Sequence, residues 1–321
     1  MMEMDFEFSI NKPDAPVLVI GASAVDILGR LRSEVQPGTS NAARIRTSNG
    51  GTARNIAENL ARLGQDVTLL TAVGEDLPGE NLITHIGNAG VNIDYVLEVP
   101  NYPTGSYIGL VNSRGRLLFA VDDMRIASAL TPAYLEENAE LFGGSSLLFL
   151  DANLSKETLR KAFTLARKAK LPVCADPTTS SLAHRLKPYI SRLRFIVPNE
   201  VEAAILCDCT PDPGNSQQAL DLAKSLVSQG TGLAVITMAE FGVSYATSET
   251  SGQFPAIHTE ILDPTGAGDA LSAAIIFALL NEITLDDAIR LGVSAATLTL
   301  RYQGAVVPEL SLEKLYDTLI F

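Results

Sequence analysis

Short apolar runs alternate with stretches of helical spacing along most of this chain, and that alternation restricts the fold more than any other feature. Pro16–Gly21 reads as a buried strand, and the 54–63 stretch places Ile56, Leu60 and Leu63 at helical spacing, with Gly64 where a helix would stop. Val67–Val73 reads as the next strand and 79–89 as a helix. From about residue 132 the pattern repeats, with strands at Ser146–Leu150, Leu171–Ala175, Phe195–Val197 and Leu233–Thr237. Helices are expected at 156–169, Glu200–Leu206 and 216–228. Two further β runs, 243–246 and 252–256, precede a helix from about 267 to 280, and helices near 285–300 and 311–319 follow. Such alternation predicts the α/β class, with a mostly parallel central sheet covered by helices on both faces. Ligands of such sheets bind beyond the carboxyl ends of the strands.

One region breaks the rhythm. Tyr95–Val99, Ser106–Val111 and Arg116–Val121 are short β-like runs, and Asn112-Ser113-Arg114-Gly115 joins the last two as a hairpin turn. No helix fits between them, so a small antiparallel patch apart from the main sheet is expected, inserted into it rather than strung beside it.

Composition narrows the function. The 321 residues are 46% hydrophobic and 19% charged, enough to fill a sizeable core. Asp and Glu number 37 against 24 Lys and Arg, a net charge of −13, which argues against a nucleic-acid binder. A small anionic ligand remains open to it, because backbone amides and Mg²⁺ supply local positive potential. Cys174, Cys207 and Cys209 form no metal or disulfide pattern, which fits a reducing, cytoplasmic compartment. No apolar run reaches membrane-spanning length, and Met1–Asn11 is acidic and unlike a signal peptide.

Two glycine-rich junctions carry the chemistry. Asp263-Pro264-Thr265-Gly266-Ala267-Gly268-Asp269 runs into an apolar helix. Glycines bring backbone N–H groups close to a ligand, and the following helix start offers unpaired amides and a positive dipole end, together an anion cradle. A carboxylate at Asp269 is repelled by a bound phosphate, so a mere binding site gains little from it, whereas a catalytic site gains a base aimed at an attacking hydroxyl. The P-loop pattern is absent, and the dinucleotide fingerprint fails because Leu271 stands where its last Gly or Ala belongs. The plainer alternative is a turn shaped by Gly266 and Gly268 with Asp269 as a cap. Near the start, Gly50-Gly51-Thr52-Ala53-Arg54-Asn55 opens a helix. Asn55 suits sugar hydroxyls, and Asp26, after the first strand, can accept two hydrogens from a vicinal diol or serve as an ordinary loop residue.

Gly50-Gly51-x-x-x-Asn55 together with Asp263-x-Thr265-Gly266-Ala267-Gly268-Asp269 resembles the ribokinase-like (phosphofructokinase B type) family of carbohydrate and nucleoside kinases. The resemblance covers nearly the whole chain. Within the family, the Arg before Asn55, Val121-Asp122-Asp123-Met124 and Asp151-Ala152-Asn153-Leu154 look more like pseudouridine kinases than ribokinases or adenosine kinases.

The resemblance implies one kinase unit over residues 12–321 with a β lid drawn from segments near 22–48 and 95–125. It implies Asp269 as the base at a 5′-hydroxyl and Gly266, Ala267 and Gly268 as the anion hole. It places the sugar on Asp26, Gly50, Gly51, Asn55 and Asn153, with Ser106 and Asp123 as polar candidates near it. Arg54 is expected either to pair with a lid carboxylate such as Asp123 or to be a solvated helix-start residue. Nucleotide contacts are expected at Asn199, Thr237, Gly242, Gly268 and Ser294, with Mg²⁺ organised through water by Glu202 and a K⁺ site near Asp263 and Thr265. Ala239 stands where relatives often have Gly. The implied co-substrate is ATP, the partner a small nucleoside or sugar, and the assembly a homodimer through the lid. Other acceptors (ribose, adenosine, fructose, a keto-deoxy acid), a catalytically inactive nucleoside-binding protein and, least, a dinucleotide oxidoreductase are the alternatives.

Overall fold

The computed structural model describes residues 12–113, Gly115 and 117–319. The reading of Met1–Asn11 and parts of the 112–116 turn therefore lie outside the described residues. In chain order the first elements are β1 (Val17–Ile20), β2 (Ala24–Leu31), β3 (Ala43–Gly50), α1 (Thr52–Arg62), β4 (Val67–Gly74), α2 (Leu77–Asn88) and β5 (Val96–Val99). Then come β6 (Gly105–Val111), β7 (Leu117–Asp123), α3 (Pro132–Glu137), α4 (Ala139–Gly144), β8 (Leu147–Asp151), α5 (Lys156–Ala169), β9 (Val173–Asp176), α6 (Ser180–Ala183) and β10 (Phe195–Ile196). The rest are α7 (Glu200–Leu206), α8 (Ser216–Ser228), β11 (Leu233–Thr237), β12 (Val243–Ala246), β13 (Ser251–Phe254), α9 (Ala267–Leu280), α10 (Leu285–Leu300) and α11 (Leu312–Leu319).

Among the described residues the strands form a nine-stranded sheet, ordered β13-β12-β11-β10-β9-β8-β1-β4-β5, and a four-stranded sheet, ordered β3-β2-β6-β7. The large sheet is parallel from β11 to β5 and antiparallel only where β12 and β13 join. β1 is wholly buried, as a strand covered on both faces must be. Val17 and Val19 pack into a core layer with Ile56, Leu60 and Ile275, whereas Leu18 and Ile20 pack into the opposite layer with Leu159 and Phe163. The result is the ribokinase-like α/β architecture that the alternation predicts. β1 lies between β4 and β8, so connections leave it in opposite directions, the switch point at which such sheets hold ligands.

One expectation is corrected. Tyr95–Val99 does not belong to the antiparallel patch: β5 pairs in parallel with β4, Thr71 opposite Val96 through Gly74 opposite Val99. The small sheet takes as its other strands β2 and β3, two eight-residue strands near the 22–48 segment that the resemblance assigns to the lid, although neither shows an apolar run. β3 reads Ala-Arg-Ile-Arg-Thr-Ser-Asn-Gly and is mostly solvated, so neither apolar alternation nor a buried face marks it. β2 pairs antiparallel with β3 and in parallel with β6, which ties two chain excursions into one lid.

α9 is apolar almost all round because it is buried on nearly every side. Its neighbour α10 approaches closely at Gly292, where an added Cβ would lie 2.7 Å from Cγ1 of Ile275 and 3.1 Å from the Leu271 carbonyl oxygen. That contact fixes the helix that carries Asp269. Gly292→Val is expected to lower stability by about 1–3 kcal/mol through overpacking, measured as a lower urea midpoint with an unchanged slope.

Candidate active site

The loops at the switch point are drawn together by one buried carboxylate. Asp151, the last residue of β8, has no solvent exposure, and its Oδ2 accepts the backbone N–H groups of Ala22 (2.7 Å) and Ala53 (3.2 Å). Its Oδ1 accepts the N–H of Asn153 at 2.9 Å. The segment after β1, the first turn of α1 and the loop after β8 are thus held around a single side chain. Burial raises the Asp151 pKa, and these amide bonds oppose the rise.

Next to this hub, α1 and α9 bring their first turns together. Asn55 Nδ2 donates to Asp269 Oδ2 at 2.6 Å, across 214 residues of sequence. Asp269 therefore does not act as a mere cap, and its helix has no side-chain cap at all. Burial raises the Asp269 carboxyl from 3.8 to about 7; Asn55 and Arg54 oppose the rise, and Asp26 and Asp151 add to it. Asp26, on β2, is 8% exposed and lies against Gly50, where a Cβ would come within 2.1 Å of its Oδ1. Burial likewise raises Asp26 to about 6, against the pull of Arg54. Gly51 caps α1 at φ 93° without a side-chain bond.

Arg54 follows neither sequence-based expectation. It is 1% exposed, its Nη1 donates to Glu58 Oε2 at 2.5 Å and its Nε to the Gly50 carbonyl at 3.2 Å. Asp123 pairs instead with Arg125, two residues away. The strand pleat also separates Ser106 and Asp123 from the sugar side. They share a row with Val25, whereas Tyr107 and Asp122 are in register with Asp26, and alternate residues face opposite ways. The Tyr107 hydroxyl is raised by burial and then by Asp26 and Asp122, consistent with that row. Tyr107 and Asp122 are one position away from the residues singled out by sequence.

On the other side of α9 lies a cleft of about 860 Å³. Asn199, Glu202, Thr237, Gly242, Ala267 and Gly268 all line it. Gly266 starts α9 in the left-handed region at φ 78°, where a Cβ would meet the Ala305 carbonyl oxygen at 2.2 Å. A Cβ at Gly268 would meet nothing within 4 Å, so the space above the first turn of the helix is open. Uncapped amides facing an open cleft with apolar walls at Leu271 and Val293 fit a nucleoside triphosphate, phosphates toward the helix start. Ala239 keeps a positive φ of 48° where a Gly would do so without strain. Ser294 faces elsewhere: it is fully buried and its Oγ donates to the Leu315 carbonyl at 2.6 Å, while Val293 and Thr297 of the same helix line the cleft.

Asn199 and Glu202 form a capping box. Asn199 Oδ1 accepts from Val201 and Glu202 N–H, each at 3.0 Å, and Glu202 Oε2 accepts from Asn199 N–H at 2.9 Å. Asp176, at the carboxyl end of β9, was not a sequence candidate. Burial and then the charges of Glu202 and Asp269 push it well above the usual carboxylate range, and burial raises Glu202 too. A buried Glu202 and a half-buried Asp176 whose pKa it raises suit a hard divalent cation, and these oxygens fit Mg²⁺. Among the described residues no three His, Cys, Asp or Glu side chains gather as a ready-made metal centre, so phosphate oxygens and water must complete the ligand shell. Asp263 and Thr265 do not fit a bound K⁺. Asp263 Oδ1 accepts the Thr265 N–H at 3.0 Å, and its Oδ2 faces the Arg46 guanidinium at 3.6 Å, so a lid cation already meets that charge.

A base candidate beside a sugar-sized polar cluster, next to an uncapped helix start and an open cleft, defines a phosphotransferase-type site on a ribokinase-like fold. Residues 14–311 match the model of the pfkB family of carbohydrate kinases, and the chain belongs to that family. It is 30% identical over 297 residues to the pseudouridine kinase of Escherichia coli (strain K12), covering 92% of this chain and 94% of the relative. It is 28% identical to the guanosine-inosine kinase of Exiguobacterium acetylicum, covering 92% and 97%. The ribokinase of Arabidopsis thaliana, solved with ribose and ATP, superposes with a TM-score of 0.82 at 22% identity, covering 96% of this chain and 99% of that one. The chain is accordingly a phosphotransferase that acts on a hydroxyl group. Among the described residues no helix is long and apolar enough to cross a membrane.

Because its folded pKa lies above its unfolded one, Asp269 favours the native state at low pH. That contribution is lost as pH rises from about 4 toward and past about 7. Asp269→Asn is therefore expected to be more stable than the parent at pH 8, on the order of 1–3 kcal/mol after allowing for its partial exposure, and to lose this advantage at pH 4. Thermal unfolding at the two pH values checks it.

Proposed function

We propose that this protein transfers the γ-phosphoryl group of ATP to the 5′-hydroxyl of pseudouridine. The observation that carries the reading is the Asn55–Asp269 contact, which puts a carboxylate with a pKa near neutrality beside the Asp26 and Gly50 cluster and in the same first turn as the open amides of α9. Bound ATP with Mg²⁺ supplies the phosphoryl group and neutralises part of its charge. Asp26 accepts ribose hydroxyls, and Asn55 holds Asp269 in place. Asp269 takes the proton of the 5′-hydroxyl as it attacks. The amides of Gly266, Ala267 and Gly268 steady the charge on the transferring group. Glu202, with Asp176, would hold Mg²⁺, which would neutralise charge on the phosphates. The lid covers the sugar and excludes water, a competing acceptor.

The choice of acceptor rests on the similarity to the pseudouridine kinase and on Gly50-Gly51-Thr52-Ala53-Arg54-Asn55. Asn153, beside the Asp151 hub, and Tyr107 and Asp122 of the lid are the candidates for contact with the nucleoside. The guanosine-inosine kinase supports a second reading, a purine nucleoside as acceptor on the same site. ADP formation measured with pseudouridine, uridine, inosine, guanosine, adenosine, ribose and fructose separates them. Pseudouridine is expected to give the highest kcat/KM, and a higher value for inosine or guanosine would favour the second reading. Asp269→Asn is expected to cut kcat by about 100-fold or more with folding intact.

The protein acts in the cytoplasm as a homodimer through the lid. Ile45, Ile108, Phe119 and Val121 are 71%, 41%, 59% and 63% exposed, an apolar face on the lid side opposite Asp26. Phe119→Glu is expected to convert a dimer into a monomer in sedimentation at micromolar concentration; an unchanged mass would remove the lid from the interface.

A further inference from the structure

Arg54 carries more positive charge than its visible partner needs. Glu58 accepts from Arg54, from Arg62 through Nε (2.9 Å) and Nη2 (2.5 Å), and lies 3.0 Å from His85 Nε2. Burial raises the Glu58 pKa, yet His85, Arg54 and Arg62 together hold it at about 2. Glu58 would thus stay compensated by Arg62 and His85 without Arg54. The Nη2 atom of Arg54 is buried and has no hydrogen-bond partner, and the same holds for the Asn55 Oδ1 atom beside it. A buried guanidinium with one unpaired edge is costly, so its retention calls for a role.

The surroundings supply that role. Asp269 on α9 is faced by Arg54 and Asn55 from α1, by Asp26 from β2, by Asp151 from β8 and by Asp176 from β9. Asp26 is faced by Arg54, by Asp263 from the loop before α9 and by Tyr107 from β6. Arg54 is the cation that acts on both carboxylates, and both in turn act on it. Asp263 already has Arg46 as a partner. Without Arg54, the buried Asp26 and the half-buried Asp269 would lie amid further acids with no cation acting on both, and each would hold its proton to higher pH. A protonated Asp269 is no base, and a protonated Asp26 accepts one hydroxyl hydrogen fewer.

We propose that Arg54 is a positioning residue whose buried, partly unpartnered guanidinium favours the ionised forms of Asp26 and Asp269 together, and so sets the pH range in which the site works. This rests on the kinase reading for its catalytic consequence but not for its electrostatics. The two are tested together in the full-length protein as wild type, Arg54→Gln and Arg54→Lys. Carbonyl-13C aspartate labelling follows the titration of Asp26 and Asp269, with the two resonances assigned by Asp26→Asn and Asp269→Asn. Both midpoints are expected to rise by about one pH unit or more in Arg54→Gln and to stay near wild type in Arg54→Lys. On whichever nucleoside the enzyme phosphorylates, the acidic limb of kcat/KM moves upward with them, with a loss of about tenfold at pH 6 that narrows toward pH 9.

Unmoved midpoints in folded Arg54→Gln overturn the proposal. So does a loss of activity equal at every pH, which would mark a packing role or a direct substrate contact. Should Arg54→Gln unfold, Arg54→Met with Glu58→Met removes the buried pair as a unit, and the same rise in midpoints is expected. Failure to find any phosphorylated acceptor would count against the kinase reading alone, because the titration arm needs no substrate.

Discussion

Asp151 is the constraint on which the site depends. A parallel sheet delivers its loops to one edge, but it does not by itself bring three of them within a few ångströms. The buried carboxylate at the end of β8 does so by accepting amides from the segment after β1, from the first turn of α1 and from its own following loop. Its charge has no cation of its own and is met by backbone dipoles, at the expense of a raised pKa. Loss of that acceptor would leave buried N–H groups unpaired and free the start of α1, and with it Asn55. A residue with no substrate contact thus determines whether the two helix starts meet.

The chemistry that results is unusual for a strongly acidic chain. A site for a polyanion is built without a lysine cluster, from the uncapped start of α9 and from carboxylates that a divalent ion can bridge. The cations that do appear are inside or on the lid. Arg54 lies beneath the acids, Arg46 meets Asp263, and Arg30 donates to the Leu262 carbonyl at 2.9 Å. Positive charge is therefore placed against protein acids and carbonyls, and the start of α9 keeps its backbone amides open to the cleft.

Most of the architecture was legible because buried elements leave a periodic record. The apolar run of β1, the spacing of Ile56 and Leu60, and the unbroken apolar stretch of α9 all report burial directly. The glycines at 50, 51, 266 and 268 pointed to both halves of the site, since close backbone approach restricts residue choice. What escaped lacks such a record. β2 and β3 are short of apolar alternation, so their spacing did not mark them as strands and only the resemblance assigned the 22–48 segment to the lid. β5 was misassigned because a four-residue run does not reveal which strand it will join. Ser106 and Asp123 were one step out of register, because the pleat face depends on a pairing that sequence does not display. Ser294 lies on a helix that lines the cleft, yet a rotation of one residue turns it into the core. Arg54 was read as the partner of a lid carboxylate or as a solvated helix start, because nothing in its neighbours shows that it is buried against Glu58.

The lid is assembled from two chain excursions separated by α1, β4, α2 and β5, and its central pairing, β2 with β6, is parallel. During synthesis the first hairpin emerges and must wait for some fifty residues of intervening chain before its partner strand is made. Until then the β2 edge has no cover, and the acid it carries, Asp26, has no closed pocket. The lid sheet is therefore one of the last parts of the N-terminal half to mature, after the helix and strands beneath it are in place. Changes in lid length must also be matched between the two excursions, which couples the drift of residues 24–50 to that of residues 105–123 over evolutionary time.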